Sequence, residues 1–328
     1  MTEQDPDDAT NIRPARPRSS PARRWLGPGL GLLAILLAGT IGWIALYPPG
    51  QGPSLSLRQS LGAAIDITTA GEAAILAARP SDPQADEPLV FRFQAAPKVL
   101  VLSFPTLRAQ GETLNRLGAF IEKAGLPHDR VLVDAELDAA IRQSGDTRET
   151  YYYGHDYRAA DLARFFAAAD RDEVALNPGE TWLRALLAQE DMLSPGAVGA
   201  VISIPPETAT PPIGAAARAV ILRHELSHGV YFTDPAYAAY ARNFWETRLN
   251  EAQRAGLRGF LGREGYDTAN EDLMRNEAQA YLIHTTDPHF FRPPLAGLGV
   301  EEAARLRQEF LRGMPDGWLK DAPALPAP

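Results

Sequence analysis

The chain has 328 residues, 45% of them hydrophobic, and a net charge of −9 from 32 basic and 41 acidic side chains. That negative balance argues against a nucleic-acid partner. The absence of cysteine excludes disulfides and thiolate metal ligands, so an ordinary hydrophobic core has to carry stability.

Residues 1–24 are polar and rich in Asp, Pro and Arg, the composition of a disordered tail. Arg13, Arg16, Arg18, Arg23 and Arg24 follow one another there with no acid between them. The next stretch, Trp25 to Tyr47, runs for 23 residues without a charge, and no charge follows it until Arg58. Such a run is long enough to span a bilayer, with Trp25, Trp43 and Tyr47 suited to the interfaces. The arginines place residues 1–24 in the cytoplasm and the rest of the chain across the membrane. A cleaved signal peptide is the competing reading. The run is longer than a signal h-region and lacks a small-x-small site before Pro48-Pro49, so a single-pass signal-anchor at 25–47 is expected. The Ala-, Arg- and Pro-rich composition points to a bacterium, hence to the inner membrane, with the folded part in the periplasm or outside the cell. Residues 48–88 form the stalk and the start of this exported region.

An N-terminal α/β lobe is expected over 89–210. Leu89–Phe93 and Val99–Phe104 read as strands separated by Ala96-Pro97, and helical patterns follow at 106–124, 134–143, 158–170 and 179–190. The cluster Tyr151-Tyr152-Tyr153-Gly154-His155-Asp156-Tyr157 has two readings. It lines a pocket, or it packs beneath the sheet with Asp156 capping the next helix. Val198–Ile204 is a short apolar strand bounded by Pro195-Gly196 and Pro205-Pro206. It is either a buried central strand or a cleft edge to which an extended peptide adds, and its place just before the next helix favours the edge.

That helix opens the second region, 211–328, which is helical throughout. The apolar run from Ala216 ends in His224-Glu225-Leu226-Ser227-His228. Residues i and i+4 share a helix face, so both imidazoles can reach one metal ion while Glu225 stands beside it to move a proton. With only 6 histidines in the chain, this pattern is a specific signal. Gly229 follows where a helix end favours glycine. A helix over 235–254 starts at Asp234-Pro235 and buries Tyr237, Tyr240, Phe244 and Trp245. Asn270 caps another helix through Leu282, and the last spans 300–312.

Two imidazoles leave a catalytic zinc one protein ligand short. No third histidine stands at the metzincin spacing. Glu277 is the leading candidate, with Glu271 and Asp267 as competitors. The pair formed by His224-Glu225-Leu226-Ser227-His228 and Asn276-Glu277-Ala278-Gln279-Ala280 resembles the gluzincin metallopeptidases. These join HExxH on one helix to a glutamate on a later one, often within Asn-Glu-x-x-Ala. The resemblance is confined to these two helices. It implies zinc held by His224, His228 and Glu277, with Glu225 as general base in peptide-bond hydrolysis. It departs at Tyr281, where several gluzincin families carry an aspartate that holds a zinc histidine. Tyr281, His284 and Tyr231 are the candidate donors for the oxyanion. The expected fold is α+β and zincin-like: a small mixed sheet with a mainly helical remainder, preceded by one transmembrane helix. The partners expected are a protein or peptide substrate and the membrane. The rival readings are a zincin-fold binding protein for peptide or cell-wall ligands, and a tethered interaction protein whose HExxH is accidental.

Overall fold

The computed structural model describes residues 64–80, 86–209, 212–285 and 287–322. The expected anchor at 25–47 lies outside them, and among the described residues no helix is long and apolar enough to cross a membrane. The chain runs β1 (Ile67–Ala70), α1 (Glu72–Ala77), β2 (Leu89–Phe93), β3 (Val99–Ser103), α2 (Leu107–Ile121) and α3 (Asp134–Ser144). It continues with β4 (His155–Arg158), α4 (Ala159–Arg171), α5 (Pro178–Gln189), β5 (Ala200–Ile204) and a short hairpin of β6 (Thr208–Ala209) and β7 (Pro212–Ile213). The remainder is helical: α6 (Ala215–Thr233), α7 (Pro235–Thr247), α8 (Glu251–Glu264), α9 (Glu271–Gln279), a π turn (Ala280–His284), a 3₁₀ turn, α10 (Val300–Gly313) and α11 (Trp318–Asp321).

The fold is α+β around a mixed five-stranded sheet of order β1-β2-β3-β5-β4. β1 pairs parallel with β2 and β3 with β5, while the β2–β3 and β4–β5 pairs are antiparallel. Side chains alternate between the faces with period two. Leu100, Leu102 and Val201 face α2, α4 and α5 with Phe165 and Leu183. Val99, Val101, Ala200 and Ile202 face α6 through Val220, Leu222 and Leu226. β3 and β5 are buried at every residue, which is why both read as unbroken apolar runs.

The strand placed at the cleft edge is therefore internal: β5 lies between β3 and β4. The edge is β4, drawn from the tyrosine cluster, and its burial alternates. An unbroken apolar run fits a strand covered on both faces, whereas alternation fits a strand with one face less covered.

Helix α6 is buried along most of its length, from Val220 to Gly229. A helix apolar on all sides belongs between two layers. One side packs on the sheet. The other meets a second core built from α7–α10, with Tyr237, Phe244, Leu257, Met274 and Phe310. Gly229 does not end α6, which continues to Thr233. A Cβ there would stand 2.8 Å from Val99 Cγ1, so this glycine permits close approach of helix to strand.

The helix expected over 235–254 is two helices. The chain breaks at 248–250, and Asn250 starts α8 by accepting from the Gln253 amide at 2.9 Å in a reciprocal capping box. An upstream strand and helix, β1 and α1, extend the sheet into the region read as stalk.

One buried ion pair anchors the sheet lobe. Arg116 on α2 (2% exposed) meets Glu180 on α5 (0% exposed) at 2.9 Å between Nε and Oε1. Burial raises the Glu180 carboxyl to about 7 against an ordinary 4.5, the Arg116 charge only partly opposing it. A raised carboxyl favours the protonated form in the fold, so its contribution is most favourable below pH 4.5 and is lost as pH climbs through 7. Arg116→Met is accordingly expected to destabilise by about 3–5 kcal/mol at pH 8, and by less at pH 5. Urea titrations at the two pH values check this; equal losses would refute it.

Candidate metal centre

Helix α6 presents His224 and His228 on its inner side, and α9 presents Glu277 opposite them. The two Nε2 atoms are 3.1 Å apart, and His228 Nε2 is 3.9 Å from Glu277 Oε2. One ligand atom from each of the three residues lies within 4.8 Å of the others, and all three are buried. Zinc bonds of 2.0–2.2 Å in tetrahedral array set ligand atoms about 3.3–3.6 Å apart, so 3.1 and 3.9 Å bracket the required spacing. The donor set, two imidazoles and a carboxylate, suits zinc. Burial keeps both imidazoles neutral: it drives His224 far below its usual range and His228 to about 4. Neutral imidazole is the ligating form.

Glu225 is turned toward the same space. Its carboxyl is pushed well up, first by burial and then by the charge of Glu277. Oε2 is buried without a hydrogen-bond partner. Across from it lies Gly154, where a Cβ would stand 2.0 Å from Glu225 Oε1. A side chain at 154 would force this carboxylate to shift.

The opposite wall is the tyrosine cluster. Tyr152, Tyr153, Gly154 and Asp156 line a small cavity with His224, Glu225, Tyr281, Glu122 and Tyr266. The space amounts to ≈ 10 Å³, room for about one water-sized group. The cluster thus serves both readings, for Tyr157 packs into the core on the other face of the sheet. Asp156 does not cap α4, which begins at Ala159 with no side-chain cap. Pairing with Ile202 turns Asp156 to the α6 face, and its Oδ1 lies 3.6 Å from His228 Nδ1.

The three candidate oxyanion donors separate. Tyr281 lines the cavity and stacks edge-on against His224, with ring centroids 4.6 Å apart. His284 faces elsewhere: its Nε2 is 2.8 Å from the Tyr237 hydroxyl, and burial lowers it to about 3. The π turn removes it from the face it would share with Glu277 on a regular helix. Tyr231 donates to Asp272 at 2.9 Å and accepts from Arg242, outside the cavity lining. Of the competing third ligands, Glu271 accepts from Trp245 Nε1 at 3.0 Å and pairs with Arg258. Asp267 sits 3.7 Å from His128. Neither is in a three-residue metal-ligating cluster among the described residues.

Sequence reasoning missed three residues here. Glu122, the C-cap of α2, forms with Asp156 and Glu277 a second grouping of ligand atoms within 4.8 Å, and no local pattern marks it. Asp156 was legible only as part of the cluster. Thr285, just past the π turn, places its Oγ1 2.8 Å from His224 Nδ1.

The two lobes are tied across this cavity. The Ala124 amide donates to Gly265 O at 3.0 Å and the Asp267 amide to Glu122 O at 2.9 Å. At the other end of β4, Arg158 meets Asp272 on α9 at 2.8 Å. No family model matches the chain, and neither does any curated protein or solved structure.

Proposed function

We propose that the chain is a zinc-dependent metallopeptidase of gluzincin type, with a zincin-like fold, attached to the inner membrane through residues 25–47. The observation that carries this reading is the convergence of His224, His228 and Glu277, 49 residues beyond the second histidine, with Glu225 lining the small cavity beside His224. The three side chains would hold zinc, which would supply a Lewis acid and acidify a water toward neutrality. Glu225 is the residue placed to accept a proton from an attacking water and to pass it to the leaving amine. Its raised proton affinity suits the second task, and a cation beside it favours the ionised form needed for the first. Of the three candidate donors Tyr281 is the one that lines the cavity, edge-on against His224, which favours it as the oxyanion donor. Asp156 lies on the far side of the His228 ring, its Oδ1 3.6 Å from Nδ1, beyond hydrogen-bond length in this structure.

A peptide does not fit a space of one water-sized group. Substrate entry therefore requires the approach to β4 or the 265–267 segment to move, and β4, the sheet edge, offers an extended peptide a strand to pair with. The intact Glu225 favours an enzyme over a zincin-fold binding protein, and the buried geometry argues against an accidental motif.

Metal analysis of the purified full chain tests the reading. One zinc per chain is expected, and His228→Ala should lose it, because a tetrahedral site has no spare ligand. A wild-type chain that takes up no zinc would refute the proposal.

A further inference from the structure

We infer that Thr285 is a positioning residue of the metal centre: its hydroxyl fixes the tautomer of His224 and leaves Nε2 bare toward His228 and Glu277. The inference rests on the zinc reading above.

A threonine hydroxyl has a single hydrogen to give and two lone pairs to accept with. Thr285 Oγ1 lies 2.9 Å from the carbonyl of Ala280 and 2.8 Å from His224 Nδ1. A carbonyl can only accept, so the hydroxyl hydrogen goes to Ala280 O. The hydroxyl must then accept from His224, whose proton sits on Nδ1. A neutral imidazole, the form that ligates a metal, has one N–H. Nε2 is therefore an unprotonated lone pair, aimed 3.1 Å from His228 Nε2.

The backbone explains why Thr285 reaches this place. It stands eight residues after Glu277, and on an uninterrupted α-helix it would be turned about 80° from it around the axis. Residues 280–284 form a π turn instead. The wider turn advances less per residue and returns Thr285 to the Glu277 side. At a helix end the last carbonyls lack partners. Here the Thr285 hydroxyl takes the Ala280 carbonyl, and Arg307 takes those of Leu282, at 2.5 Å, and Thr285. What commits the hydroxyl hydrogen is that its neighbour Ala280 O is an acceptor with no hydrogen to give. Thr285 is fully buried, so no water competes for either bond.

Two measurements on the full chain test this. Equilibrium zinc competition should show Thr285→Val, which keeps the shape and removes the hydroxyl, weakened about 10–100-fold. Thr285→Ser should stay within about threefold of wild type, because it restores both hydrogen bonds. In the metal-free wild type, nitrogen-15 NMR should place the His224 proton on Nδ1, and Thr285→Val should redistribute it. Wild-type affinity in Thr285→Val, or loss in Thr285→Ser equal to that in Thr285→Val, would overturn the inference in favour of a packing role. So would a proton on Nε2 in the wild type. If wild type takes up no zinc, the zinc reading fails on its own, and the tautomer still decides the role of Thr285.

Discussion

Glu225→Gln is expected to bind zinc at wild-type stoichiometry and to lose about 10²–10⁴-fold in the hydrolysis of a quenched-fluorescent peptide mixture. The substitution is chosen for its shape. Gly154 packs so closely on this side chain that a Cβ would meet Oε1 at 2.0 Å, and Gln fills the same outline without disturbing that contact. What changes is the ability to accept a proton. The amide cannot take one from water or hand it to a leaving amine, whereas the three side chains grouped as ligands remain in place. Metal content and turnover are read on the same preparation, which separates loss of the base from loss of the site. Turnover equal to wild type would remove Glu225 from the mechanism.

The second large effect is expected at the third ligand. Glu277→Ala should weaken zinc binding by more than about 100-fold, beyond the range seen for partners that only orient ligands. Glu271→Ala and Asp267→Ala should leave zinc affinity near wild type. Glu277 is fully buried and faces His228 at 3.9 Å, so its carboxylate is the one on this helix able to contact a shared cation. Glu271 is held by Trp245 and Arg258, and Asp267 lies beside His128. Circular dichroism guards against a folding defect, with Glu277→Gln as the isosteric partner. The largest loss in Asp267→Ala would replace the gluzincin arrangement with one centred on the 265–267 loop.

The readable features were local ones. Helix periodicity and the i, i+4 spacing put His224 and His228 on one face, and no distant contact is needed to know it. Asn270 as N-cap announced α9, whose Asn270 side chain accepts from the Leu273 amide at 3.2 Å. The hydrophobic runs of β2 and β3 were equally plain. Reading failed where two features looked alike in one dimension. The apolar run at 198–204 is compatible with an edge or a centre until its partners are known. A helix over 235–254 and a pair broken at Asn250 differ by one capping box.

What the sequence alone determined about this chain is the presence of a helix with His224 and His228 on one face and of a second helix carrying Glu277, because each is written in contiguous spacing. Their meeting, and everything that surrounds them, was decided by tertiary structure. Asp156 reaches His228 because β4 pairs antiparallel with β5 and so points it at α6. Glu122 joins the cavity because α2 ends beside the 265–267 segment. Thr285 reaches His224 only because an α-helix loosens into a π turn, a change of hydrogen-bond register with no side-chain signature. These contacts join residues 61 to 72 or more positions apart. Their geometry comes from strand register and helix packing, which no local window of residues contains.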